Sequence, residues 1–141
     1  MRISPHLCFG GQCKAAFLNY HQLFGGSLTM LTYGESPMAP DVDPQWHDRI
    51  LHATLQFDDV ELAGADLLPH DYRKPQGFFV LLTVEDVANA ERIFSSLAVG
   101  GEIRLPFQQT FWSAGFGVLV DQFSVPWEIN SAQPASEQPG A

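Results

Sequence analysis

An α+β fold made of two tandem βαβββ modules, which together form a concave mixed β-sheet cleft, follows from three observations. First, two segments echo each other at helical spacing. Ala16, Tyr20 and Leu23 share one face of 15–30, and Ala90, Phe94 and Leu97 repeat that spacing within 89–105. Second, each segment meets a glycine pair, Gly25–Gly26 or Gly100–Gly101, able to supply the left-handed residue that ends a helix. Third, each helix is preceded by one strand candidate and followed by three. One such unit leaves a sheet face uncovered, so two must pair to make a stable body.

In chain order, "RISPHLCF" reads as the first strand and is followed by the first helix, then by "SLTMLTY", "ILHATLQF" and "VELAGA" as strands. In the second half "GFFVLLTV", an unbroken apolar run, predicts a more buried strand. The second helix and the strands "EIRLPF", "FGVLVDQ" and "VPWEIN" complete the repeat. The modules span 1–67 and 77–130 of a single domain at 1–130. Three segments stand outside the repeat. The Pro-rich 34–48 is long enough for a lid, 66–76 joins the halves, and 131–141 reads as a disordered tail.

A chain of 141 residues suffices for one well-buried domain. No apolar run approaches the roughly 18 to 20 residues that span a bilayer, which excludes a membrane partner of that kind. The N-terminal "MRISPHLCFGG" reaches glycine too soon for a signal-peptide core, so a cytoplasmic location is expected. Cys8 and Cys13 are the only cysteines, too few for a disulfide framework, and reduced thiols are expected. A net charge of −9 with 7 Lys and Arg opposes binding to a phosphate backbone, so no nucleic acid partner is expected.

The paired modules, the "FGG" closing the first helix, "LHATLQF" followed by "GAD", and above all "TFWSAGFGVLVDQFSVPWEIN" resemble the PhnB-like family. That family is a branch of the vicinal oxygen chelate superfamily, with glyoxalase I, fosfomycin-resistance proteins and extradiol dioxygenases. The resemblance covers roughly residues 3 to 130. It implies a glyoxalase-like fold, a homodimer and a small-molecule cleft that can be shared between chains, and a reaction only by analogy. Relatives often carry a demethylubiquinone methyltransferase label, but this chain has no glycine-rich strand-to-helix loop to cradle a nucleotide-like cofactor.

Strand alternation sorts the candidate site residues. In "ILHATLQF", His52, Thr54 and Gln56 share one face, while Leu51, Ala53, Leu55 and Phe57 share the face that packs under a helix. In the first strand Leu7 and Phe9 face the helix, and Ser4, His6 and Cys8 face the cleft. In the last strand Trp127 and Ile129 enter the core, and Glu128 and Asn130 line the cleft. His6, His52 and Glu128 therefore supply two imidazoles and one carboxylate, a ligand set suited to a divalent metal with open positions. The glyoxalase pattern, by contrast, places ligands on the first and last strand of each module. Glu128 fits it, but the other positions fall on Ser4 or His6, Ala63 and Phe78, and neither Ala63 nor Phe78 can coordinate. The reading adopted is that His52 and Glu128 are hydrogen-bonded polar residues of a wet pocket, with a catalytic divalent metal site as the alternative.

Cys8 beside His6 or His52 is read as an inert thiol rather than a nucleophile. Phe111, Trp112 and Phe116 form an aromatic wall for a ligand, or else core or interface packing. Trp46 and His47, beside the lid, could close over a ligand. His21, His70 and Asp66 have no partner evident in the sequence, and Lys14 and Arg92 are solvated helix faces. Two functions are consistent with this inventory: an enzyme acting on a small polar metabolite, or a protein that sequesters a small ligand. An enzyme needs a titratable or metal-binding group, which only His6, His52 and Glu128 supply.

Overall fold

A computed structural model describes residues 1–132, so all but the first two positions of the tail expected at 131–141 lie outside the described residues. The chain divides into two compact units, Met1–Lys74 and Pro75–Ala141. The first unit runs β1 (His6–Phe9), α1 (Cys13–Phe24), β2 (Ser27–Thr32), β3 (Ile50–Phe57) and β4 (Val60–Asp66). Its sheet has the order β1-β4-β3-β2 with β1 parallel to β4. The second unit repeats the plan with β5 (Val80–Val84), α2 (Val87–Ala98), β6 (Glu102–Gln108), β7 (Gly115–Val120) and β8 (Pro126–Ser131). Its order is β5-β8-β7-β6 with β5 parallel to β8. Each unit is thus a βαβββ module, and its helix lies between the first strand and the rest.

In the first unit α1 buries Cys13, Ala16, Phe17 and Tyr20 against Leu7, Phe9, Ala53, Leu55 and Leu62 of the sheet. Phe17 meets Phe9 and Tyr20 edge-on at 6.2 and 5.7 Å, the arrangement that the ring quadrupole favours. In the second unit Ala90, Ile93, Phe94 and Leu97 of α2 cover Leu119, Trp127 and Ile129. The predicted helical faces hold, except that Leu23 is only half-buried and Phe17 takes its place.

Both helices rest on a glycine. A Cβ on Gly64 would lie 2.5 Å from the Phe17 ring and 3.0 Å from the Leu7 carbonyl oxygen, and one on Gly117 would lie 2.5 Å from the Phe94 ring. Phe17 is held on several sides, so Gly64→Ala should destabilise the protein by about 1–3 kcal/mol, the usual cost of overpacking. Urea denaturation reads this. An unchanged midpoint would mean that α1 shifts freely over β4.

The two helices start differently. Asp86 caps α2 by accepting from Asn89 N at 3.0 Å. Gln12 gives α1 no side-chain cap, and the carboxylate of Asp66 at the end of β4 replaces it. Its Oδ1 accepts from Gly11 N at 2.9 Å and Cys13 N at 3.0 Å, and its Oδ2 accepts from Ile50 N at 2.9 Å. Asp66 is therefore the last residue of a strand and a buried clamp, where the sequence reading placed it in a connecting segment with no partner.

Two other expectations change. The first strand is shorter than "RISPHLCF" and begins at His6. The strand within "GFFVLLTV" is not the more buried one: Leu81 is 58% exposed, and Phe78 and Phe79 are also exposed. Its apolar run serves a helix-facing side and an outward side that stays apolar. The 34–48 segment, read as long enough for a lid, carries contacts of its own. It forms short 3-10 turns at Ala39–Asp41 and Pro44–Trp46, and His47 Nε2 lies 3.0 Å from the Ala39 carbonyl oxygen and 3.1 Å from that of Val42.

Candidate functional site

Each sheet has one face under its helix and one face turned away from it, and alternation assigns the polar residues to the second. In β3, Ala53 and Leu55 are buried whereas His52 and Gln56 are exposed. In β8, Trp127 and Ile129 are buried whereas Glu128 and Asn130 are half-buried. The strand parity predicted for both site strands is thus the observed one.

On the open face of the first unit, the β4 positions in register with the histidine strands are alanines. Ala63 pairs with His6 on one side and Thr54 on the other, and Ala65 pairs with Cys8. These methyl groups leave room above β4, across which the His6 and His52 rings stack with centroids 6.4 Å apart and planes 28° apart. The missing ligand at Ala63 is therefore what lets the two imidazoles approach. His52 Nε2 lies 3.0 Å from Thr54 Oγ1. A hydroxyl both donates and accepts, so Thr54 can serve the neutral ring and, by turning round, the protonated one. Cys8 Sγ lies 3.7 Å from His6 Nδ1, and burial pushes its thiol up, so it stays protonated rather than becoming a nucleophilic thiolate.

One row further along this face stands Glu61, absent from the residues singled out in the sequence. It pairs in register with Gln56, accepts from Ser4 Oγ at 2.7 Å and Gln56 Nε2 at 3.1 Å, and lies 3.5 Å from Arg2. The Ser4 hydroxyl foremost, then the Gln56 amide, hold its carboxyl below the usual carboxylate range, with Arg2 and His52 adding smaller pulls. The sequence cue was available. The tight turn Asp58–Asp59, with Asp58 at a φ of 49°, sets Gln56 opposite Glu61.

On the open face of the second unit, Glu128 stands between Leu81 of β5 and Val118 of β7. Asn130 stands between Thr83 and Phe116, and its Nδ2 approaches Thr83 Oγ1 at 3.5 Å. Trp112 meets Phe116 at 5.6 Å and Phe111 at 4.7 Å between centroids, both edge-on. These are the three rings read as a ligand wall or as core or interface packing. Core packing is excluded for the outer two, since Phe111 is 76% and Trp112 51% exposed.

His6, Cys8, His52 and Thr54 thus come together on the first unit, and Glu128, Asn130 and Trp112 on the second. Among the described residues no group of three or more His, Cys, Asp and Glu side chains is placed to hold a metal ion. A surface cavity of about 440 Å³ beside the start of α1 is lined by Lys14, Asp48 and Arg49 among others. It reads as a joint of the fold, since Arg49 donates to the Gly11 carbonyl at 2.6 Å and lies over the Trp46 ring at 5.4 Å. Among the described residues no helix is long and apolar enough to cross a membrane.

The chain matches no protein-family model. It is similar to the protein YjdN of Escherichia coli strain K12, 32% identical over 139 residues that cover 92% of this chain and 95% of that protein. The crystal structure of protein PA1353 from Pseudomonas aeruginosa shares 40% identity at a TM-score of 0.87, covering 95% of this chain and 99% of that one. A Bacillus cereus structure described as a putative 3-demethylubiquinone-9 3-methyltransferase, PhnB protein, has the same fold at 24% identity and a TM-score of 0.77, covering 94% and 100%. So does a glyoxalase/bleomycin resistance/dioxygenase family enzyme from Burkholderia phytofirmans PsJN, at 13% identity and a TM-score of 0.61, covering 91% and 95%.

Proposed function

Because this chain belongs to the PhnB-like family of the vicinal oxygen chelate superfamily, we propose that it is an enzyme acting on a small polar metabolite at the open faces of its sheets. The observation that carries this reading is the imidazole pair above Ala63, with His52 bonded to the Thr54 hydroxyl. An exposed imidazole with a relay hydroxyl is equipped to take up and return a proton. His52 is the proposed general acid–base, with Glu128 as the second titratable group. Ser4, His6, Cys8, Thr54, Gln56, Trp112 and Asn130 line the proposed binding surfaces. The protein works, in this reading, as a homodimer in the cytoplasm, and sedimentation at micromolar concentration reads the dimer directly.

A resident divalent ion, common on this fold, does not fit the residues present. The in-register positions beside His6 and Cys8 are alanines, and the nearby carboxylate, Glu61, is committed to Ser4, Gln56 and Arg2. Proton transfer by side chains alone is therefore the chemistry proposed. Turnover of a metabolite panel by the wild type, with at least a tenfold loss in His52→Ala, is the expected result. Metal analysis belongs to the same experiment. One equivalent of tightly held zinc, nickel, manganese or iron, lost in both His52→Ala and Glu128→Gln, would instead make this a metal-dependent enzyme.

The exposed wall of Phe111, Trp112 and Phe116 favours a second reading, a non-catalytic protein that sequesters a small ligand. Stoichiometric binding that survives His52→Ala, without turnover of any bound compound, would decide for it.

A further inference from the structure

We propose that the open face of the second unit binds a small organic cation, an ammonium-type group held by Glu128 and the Trp112–Phe116 wall. The inference rests on the reading that the open faces bind a small metabolite, and it adds the chemical class. Among the described residues no hydrogen bond or ion pair involves the Glu128 carboxylate, and the residue as a whole is half-buried in register between Leu81 and Val118. A carboxylate set among apolar neighbours and bonded to nothing is an acceptor open to a ligand that brings positive charge or donors.

No neighbouring group is bonded to it. One row along, Asn130 Oδ1 is a buried oxygen without a hydrogen-bond partner. The cation nearest on the sheet, Arg104 of the edge strand β6, lies 4.0 Å from the carboxylate of Glu102. Phe116 pairs in register with Asn130 and Trp112 stands against Phe116, and the faces of such rings attract cations. Acceptors and π-faces together define a ligand that brings donors or positive charge, and they disfavour anions.

The wall is preorganised. The turn that carries Phe111 and Trp112 is closed by Thr110 N donating to the Ser113 carbonyl at 3.0 Å. It is anchored by the fully buried Ser113, whose hydroxyl lies 2.6 Å from the Gly115 carbonyl oxygen and 2.8 Å from that of Ser131. Two large aromatics fixed in an exposed position lose little further freedom when a ligand binds. A side chain left in water for no ligand would not need so much support.

The test titrates the full chain with choline and with its uncharged isostere 3,3-dimethylbutan-1-ol, followed by tryptophan fluorescence and calorimetry. Choline should bind at least about tenfold more tightly than the isostere, the scale of one cation–π contact with a carboxylate beside it. Glu128→Gln, which keeps shape and removes charge, should erase that preference. Trp112→Leu should weaken choline at least about tenfold while circular dichroism shows the fold intact. Equal affinity for the two compounds, absence of saturable choline binding, or an undiminished preference in Glu128→Gln would each overturn the proposal. Saturable binding of both compounds without preference would end the cation assignment and leave the wider metabolite reading standing.

Discussion

Asp66→Ala should lower the free energy of unfolding by about 2–6 kcal/mol, since each buried donor left without a partner costs about 1–3 kcal/mol and this carboxylate serves two of them, Cys13 N and Ile50 N, besides the part-buried Gly11 N. The side chain is 1% exposed, so water cannot easily replace it. Its position also matters. By accepting from Cys13 N it places negative charge at the first turn of α1, where the helix dipole favours it. By accepting from Ile50 N it ties the start of β3 to the same point. One residue thus fixes where α1 begins and where the 34–48 segment re-enters the sheet. For a domain whose whole stability is about 5–15 kcal/mol, the variant would sit near the edge of folding. Asp66→Asn keeps the shape and one oxygen acceptor, so it should fall between the wild type and the alanine variant. Urea melts of the three proteins give the order. A loss below about 1 kcal/mol for the alanine variant would mean that other acceptors take over the donors.

That clamp was not legible in the sequence, and the reason is physical. Its donors come from positions 11, 13 and 50, and nothing local in "GAD" distinguishes a buried carboxylate from a turn residue. What was legible is what depends on period alone. Ala16 and Tyr20, and Ala90, Phe94 and Leu97, lie on buried helix faces because a period of 3.6 leaves few other arrangements. His52 and Thr54 stand opposite Ala53 and Leu55 because alternation is a property of any strand.

What was not legible has a different cause. An apolar run such as "GFFVLLTV" is compatible with burial on both faces or with one face left apolar and open, and periodicity cannot separate the two. Segment 34–48 has no period at all, so its order comes from His47 reaching two carbonyls and from Val42 entering the core. Glu61 is not legible because its partner Ser4 lies before the first strand, far away in sequence, and its partner Gln56 is aligned with it only by the register of the β3–β4 turn. In the site, then, parity was readable and pairing was not.

Parity is also where the functional reading can fail, and Trp127 tests it. The indole is 1% exposed beneath α2, and its Nε1 donates to Asp121 Oδ2 at 2.9 Å. Trp127→Ala should cost about 3–5 kcal/mol, the usual range for emptying a buried aromatic site. It also removes a donor from a carboxylate that holds the β7–β8 turn through Phe123 N at 2.8 Å and Val125 N at 3.0 Å. Trp127→Phe keeps most of the packing and loses that one donor, so it should cost about 1–2 kcal/mol. Thermal and urea unfolding separate the two. The phenylalanine variant carries the functional half of the experiment, because its strand stays in register. It should retain the preference for choline over the neutral isostere, since Glu128 and Asn130 still project from the other side of β8. A near-neutral Trp127→Ala would mean that the strand is displaced by one residue. A one-residue slip exchanges the faces of every side chain on it, so Glu128 would then lie beneath the helix, and neither a proton-transfer role nor a cation site could be assigned to it.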